Sequence, residues 1–133
     1  MKNVVILGAG TSGTMMANHL ESTLPKKEWK ITIVDQYKTH YYQPGFLFLP
    51  FDIYTTKQVK KKGAKFLPKG VNYIQEKIDL IMPEKNKVVL ADSRELPYDI
   101  LIVATGTKTV PEEIEGMMSP NWYKNVFDFY TYE

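Results

Sequence analysis

The chain has 133 residues, 44% of them hydrophobic, enough for one modest core, and its 17 basic and 15 acidic residues leave a formal charge of +2. That balance leaves no electrostatic footprint for nucleic acid, and every basic residue except Arg94 is a lysine, so the guanidinium forks that read bases are nearly absent. The absence of cysteine excludes disulfides, thiolate metal sites and cysteine nucleophiles, and no apolar run approaches the roughly 20 residues of a membrane span, so the chain reads as intracellular and non-spanning.

Asn3 to Leu7 is a continuous apolar run ended by glycine, the pattern of a strand buried on both faces of a parallel sheet. A helix is predicted from about Thr11. Its Met16, Leu20 and Leu24 fall four apart, Gly13 and Ala17 form a small-residue strip suited to close packing on a sheet, and Pro25 with the charged KKE ends it. "WKITIVD" is a second buried strand closing on Asp35, which completes a strand, helix, strand unit of the length of a right-handed crossover.

From Gln36 the chain turns to "YKTHYYQPGFLFLPFDIY", dense in aromatics and broken by Pro44, Gly45 and Pro50, which predicts a structured loop. "TTKQVKKKGAKFL" predicts a short helix stopped at Gly63. The β-branched runs at 71–82 and 86–90, separated by the turn "PEKN" and followed by "REL", predict an antiparallel meander. "YDILIVATG" is a last buried strand entering a small-residue turn, and the remainder reads as irregular. The fold class is α/β, a Rossmann-like parallel sheet with a β-meander crossover.

Gly8, Gly10 and Gly13 match G-x-G-x-x-G. The first permits a tight turn, the second lets backbone approach a pyrophosphate, and the third lets helix and strand pack closely. The helix start then offers N–H groups and a partial positive charge to the diphosphate. Asp35 follows Gly13 by 22 residues, near the spacing of about 20 of a ribose-binding acid, and its charge opposes a 2′-phosphate. NAD and FAD share the adenosine diphosphate half that such a motif reads. A dehydrogenase normally continues with helical crossovers, whereas this chain inserts an aromatic loop and a meander.

"VVILGAGTSG", the acid of "ITIVD", the loop "HYYQPGF" and "LPYDILIVATGTKTVPEEIEG" together resemble the amino-terminal FAD-binding part of the flavoproteins that carry two dinucleotide-binding domains. Among these the chain is most similar to sulfide:quinone oxidoreductases and, more distantly, to single-chain NADH dehydrogenases. The resemblance runs from about Asn3 to Gly116 and covers the first third of a normal family chain. It implies that residues 1–133 are an amino-terminal FAD-binding portion, the second nucleotide-binding domain and the carboxy-terminal part being absent. Gly8, Gly10, Thr11, Ser12 and Gly13 would cradle the pyrophosphate, Asp35 and its neighbour Gln36 would serve the adenosine ribose, and Ile78 would meet adenine through backbone. Tyr42, Gln43 and Pro44 would stand near the isoalloxazine ring, and Ala104, Thr105, Gly106 and Lys108 would form the turn where the chain crosses the cofactor. The implied activity is electron transfer through flavin from sulfide or NADH to quinone. The implied location is cytoplasmic, with peripheral contact of the full-length protein on the cytoplasmic membrane face.

The sulfide chemistry of the family runs through cysteines, one of which falls near Phe127 here, so this chain alone is expected to be inactive. No catalytic residue and no metal site is assigned. His40 is read as a polar loop residue ahead of a flavin proton carrier, and His19 lacks a second ligand at metal spacing. The lysines at 57, 60, 61, 62, 65 and 69 read as a solvated helix face rather than a lipid contact, and "FLFLPFDIY" as a lid over the cofactor. Two rival readings are an NAD-binding Rossmann domain and a non-catalytic interaction module whose open sheet edge pairs with another copy.

Overall fold

A computed structural model describes residues 1–132. The chain divides into two compact units, the first made of Met1–Tyr41 and Lys61–Gly106, the second of Tyr42–Lys60 and the residues from Thr107 on.

The first unit is built on a parallel sheet. Strand β1 (Lys2–Leu7) leads through helix α1 (Thr11–Thr23) into β2 (Trp29–Asp35), and the two strands pair in register from Lys2 with Trp29 to Leu7 with Val34. β5 (Asn72–Gln75) adds in parallel outside β2, and β9 (Ile100–Val103) adds in parallel on the other side of β1. The resulting order, β5-β2-β1-β9, changes direction at β1, as in a doubly wound sheet.

Alternation along β1 and β2 sends side chains to opposite faces, and both faces are covered. Val4, Ile6, Ile31 and Ile33 pack toward α1, where Ala17 is fully buried and Met16, Leu20 and Leu24 close the layer. Val5, Leu7 and Val34 pack toward Val88 and Leu90 of an antiparallel meander, β6 (Ile78–Met82), β7 (Lys87–Leu90) and β8 (Glu95–Pro97). A continuous apolar strand is what such double coverage demands. The helix arises where the sequence predicts it, as does the part of the meander from Ile78 on, and "PEKN" makes a 3-10 turn ended by Asn86 in the left-handed region.

Four local expectations are corrected. The run at 71–82 is not one meander strand: Asn72–Gln75 joins the parallel sheet, and the chain leaves it at Glu76 before β6 begins. "YDILIVATG" is not buried on both faces, because β9 is an edge strand whose Ile100 and Val103 are exposed. The helix after Thr55 lasts only from Thr56 to Val59 (α2), held by a capping box in which Gln58 reaches back to Thr55. β4 (Lys60–Lys62) follows and pairs with the short β3 (Thr39–Tyr41), so the lysines, all exposed, do not share a helix face.

In the second unit the aromatic loop contains a 3-10 helix over Gln43–Phe51, with Pro44 at its first turn and Asp52 in the left-handed region closing it. The tighter 3-10 winding admits prolines that an α-helix interior would reject. Gly45 and Phe46 are buried there, and Gly45 lies so close to Val59 and Tyr42 that an added methyl would clash with both.

Candidate functional site

The turn after β1 uses its three glycines differently. Gly8 has a φ of +96°, and a side chain there would overlap the Ala104 carbonyl. A methyl on Gly13 would overlap the Gly8 carbonyl, so these two glycines let β1, α1 and the end of β9 close on one another. Gly10 is exposed and has no atom within 4 Å of where a Cβ would stand. Packing therefore does not require glycine at position 10, whereas close approach of a ligand to the backbone would.

Gly10 is also the N-cap of α1. It supplies no side-chain cap, and no acidic residue occupies the first turn. The N–H groups that a Ser, Asp or Glu would otherwise satisfy thus face the exposed edge formed by Gly10, Thr11 and Ser12, together with the positive end of the helix dipole. An anion is the natural complement of this arrangement.

Asp35 closes β2 and holds the turn from the other side. Its Oδ2 accepts the Ala9 N–H at 2.6 Å and its Oδ1 accepts the Tyr37 N–H at 2.8 Å. The Ala9 carbonyl in turn accepts from Thr14 Oγ1 at 3.0 Å and lies 3.2 Å from His40 Nδ1. Tyr73 donates its hydroxyl to the Tyr37 carbonyl, and burial, then the nearby Asp35 charge, push its phenol above the ordinary value.

Beside the turn, at the carboxyl ends of the parallel strands, lies a cavity of about 360 Å³. Leu7, Val34 and Val103 from three adjacent strands, with Gly8 and Thr105, line one side. Lys77, just ahead of the meander, with Ile78 and Ile81 of β6, lines another, and Asp35, Gln36 and Tyr37 supply a polar rim. An apolar slot with an acid at its edge suits a flat heterocycle joined to a sugar diol.

The fold thus gathers Gly8, Asp35, Gln36, Ile78 and Thr105 around one cavity, with Gly10, Thr11, Ser12 and Gly13 in the adjoining turn and Ala104 packed beneath it. Gly106, at φ +75°, continues that strand end with open space around it. Tyr42, Gln43, Pro44 and Lys108 belong to the second unit. There Tyr42 stands edge-on to Tyr54, and Gln43 donates to the Tyr130 carbonyl at 3.1 Å.

Sequence reasoning missed Tyr37, Lys77 and Ile81. A register shift between Ile78 and Leu80 breaks the strict alternation of β6, which turns both Ile78 and Ile81 inward, and no period-two reading finds that pair. Among the described residues no cluster of His, Asp and Glu could hold a metal, and no helix is long and apolar enough to cross a membrane.

A parallel sheet with this glycine turn, an acid ending its second strand and a cavity at the switch point defines a Rossmann-like fold. The chain belongs to the pyridine nucleotide-disulphide oxidoreductase family, whose sequence profile matches residues 2–132. It is 32% identical over 136 residues to the mitochondrial sulfide:quinone oxidoreductase of Dictyostelium discoideum, an alignment covering 100% of this chain and 30% of that protein. A type II NADH:quinone oxidoreductase of Staphylococcus aureus is 29% identical over 123 residues, covering 87% of this chain and 29% of the relative. The crystal structure of the sulfide:quinone oxidoreductase of Aquifex aeolicus superposes with a TM-score of 0.71 at 27% identity, over 83% of this chain and 25% of that one. The chain therefore spans less than a third of the length of these relatives.

Proposed function

We propose that residues 1–133 are the FAD-binding part of a flavoprotein oxidoreductase resembling sulfide:quinone oxidoreductase. The observation that carries this reading is the glycine turn itself. The turn whose Gly8 lines the acid-rimmed cavity also presents an open Gly10 and an uncapped helix start, so a diphosphate and an adenosine have adjoining places in one unit.

In this reading Gly8, Gly10, Thr11, Ser12 and Gly13 hold the pyrophosphate, Asp35 and Gln36 the ribose, and the Ile78 backbone the adenine. Tyr42, Gln43 and Pro44 serve the isoalloxazine end, and Ala104, Thr105, Gly106 and Lys108 the crossing turn. Bound flavin supplies the electron transfer, from sulfide or NADH to quinone, and the protein orients it. Asp35 already accepts two backbone N–H groups, so its remaining lone pairs are held in a fixed direction for sugar hydroxyls. The chain carries no thiol for a persulfide, so sulfide turnover depends on residues outside it. A cytoplasmic or peripheral membrane location, and pairing of copies through an open sheet edge, belong to the same proposal.

The test is a visible absorption spectrum of the purified chain, with mass spectrometry of any small molecule released on denaturation. A flavin spectrum with FAD released supports the reading. A colourless protein that refuses added FAD but binds NAD moves the assignment to a nicotinamide-dependent domain. Refusal of both, with a dimer in solution, leaves an interaction module.

A further inference from the structure

We infer that His40 is a positioning residue for the dinucleotide-binding turn, its Nδ1–H holding the Ala9 carbonyl so that the next peptide N–H, that of Gly10, points outward toward the diphosphate. The inference rests on the proposed function and adds a residue to it.

The Ala9 carbonyl and the Gly10 N–H belong to one planar trans peptide, so they point in opposite directions. Whatever fixes the carbonyl fixes the amide. Ala9 is buried, and its carbonyl takes Thr14 Oγ1 at 3.0 Å and His40 Nδ1 at 3.2 Å, while its own N–H is given to Asp35 at 2.6 Å. A carbonyl only accepts, so the imidazole carries its proton on Nδ1, a state that the neutral Nδ1–H tautomer and the imidazolium both satisfy.

The two donors differ in origin. Thr14 lies on α1 and moves with the helix that follows the turn. His40 comes from β3, outside the strand, helix, strand unit, and so ties the turn to an independent element. Its ring is braced by Phe66, with centroids 4.9 Å apart, and the Phe66 carbonyl accepts Asn18 Nδ2 of α1 at 2.9 Å. Imidazole, phenyl ring and helix therefore form one closed support for the Ala9 peptide. A solvated loop histidine would need none of these contacts.

The test titrates the full chain with FAD, following flavin fluorescence, for wild type, His40→Ala, His40→Asn and His40→Gln, with thermal unfolding of the FAD-free proteins beside it. Asparagine places an amide N–H where Nδ1 stands, and glutamine places it one methylene further out. His40→Ala and His40→Gln are expected to weaken FAD binding about tenfold, the effect of one net hydrogen bond, with His40→Asn staying within about twofold of wild type. Equal binding by wild type and His40→Ala, or an asparagine variant as weak as the alanine one, overturns the inference. If His40→Ala fails to fold, the asparagine and glutamine pair decides it in the same way. If wild type itself takes up no FAD, the proposed function is what fails. Amide hydrogen exchange at Ala9, whose N–H is held by Asp35 within the same turn, then judges His40 in the FAD-free chain, with faster exchange in the alanine variant and restoration by asparagine expected, and unchanged exchange overturning it.

Discussion

Ile6, Leu7, Ile33 and Val34 of the first unit are sealed from solvent, whereas Phe51, Phe127 and Phe129 of the second stand 71%, 60% and 52% exposed. Both units are rich in apolar residues, yet they bury them differently. The parallel sheet has a cover on each face, so alternate side chains of a strand all find partners. In the second unit, Phe46 and Val59 are the hydrophobic residues buried among those described, and order comes from local hydrogen bonds instead. Asp128 accepts from the Tyr130 and Thr131 amides at 2.7 Å, and Thr107 and Tyr130 join hydroxyl to hydroxyl. Apolar composition alone does not make a core; coverage of both faces does.

Truncation separates the two most sharply. Ile33→Ala should lower stability by about 2–5 kcal/mol, because α1 and the sheet cannot collapse around the lost volume, whereas Phe51→Ala should stay within about 0.5 kcal/mol. Urea unfolding of both variants measures this. Comparable losses would mean that the second unit has a core of its own.

Within the glycine turn the same contrast recurs at smaller scale. Gly13→Ala drives a methyl into the Gly8 carbonyl, backbone that cannot yield, and should cost about 1–3 kcal/mol. Gly10→Ala meets open space and should leave the unfolding midpoint in place while weakening FAD binding about tenfold or more. Parallel stability and titration measurements distinguish the packing glycine from the ligand glycine; a Gly10 variant that binds FAD normally would remove position 10 from the site.

This division of labour was only half legible in the sequence. Three glycines at fingerprint spacing after an apolar run, with an acid closing the next strand, locate the turn, the helix and the sheet, because each is dictated by local chemistry. The motif already marks Gly13 for packing and Gly10 for ligand approach, but the contact that excludes a side chain at Gly8 comes from Ala104, a residue distant in the chain. Spacing marks Asp35 as a candidate sugar ligand, whereas its bond to the Ala9 amide emerges only when β2 is laid beside β1. Val103 reads as buried by composition, but edge position, a property of sheet order, leaves it exposed. His40, a polar residue in an aromatic loop, gave no sign of the carbonyl it meets 31 positions away.

Asp35→Asn tests the anchor of the turn. A carboxylate accepts at both oxygens, and both are used; an amide can accept at only one, so either the Ala9 or the Tyr37 N–H would face an NH₂ group. A loss of about 1–2 kcal/mol is expected, with weaker FAD binding. An unaltered Ala9 amide shift in the variant would show that the bond does not hold the turn.

Titration gives the smallest effects and opposite signs in the two units. In the second, the Thr131 amide is the largest influence and, with the Tyr130 amide and the Thr131 and Tyr123 hydroxyls, it outweighs the opposing cost of burial and holds the Asp128 carboxyl below its ordinary 3.8. A folded value below the unfolded one contributes stability above the unfolded value, lost as pH falls through the folded one. The turn at Asp128 should therefore persist at pH 4 and loosen only in stronger acid, which the Tyr130 and Thr131 amide shifts would report. In the first unit Tyr73 is raised above 10.0 by burial and then by Asp35, so the folded phenol stays neutral while the unfolded one ionises. Its contribution is complete below 10.0 and is lost as pH climbs through the higher folded value. An ultraviolet titration that shows Tyr73 ionising with the exposed tyrosines would break this link between the phenol and Asp35. Replacing Asp35 by asparagine should bring the Tyr73 midpoint part of the way back, and only part, because burial is the larger of its two causes.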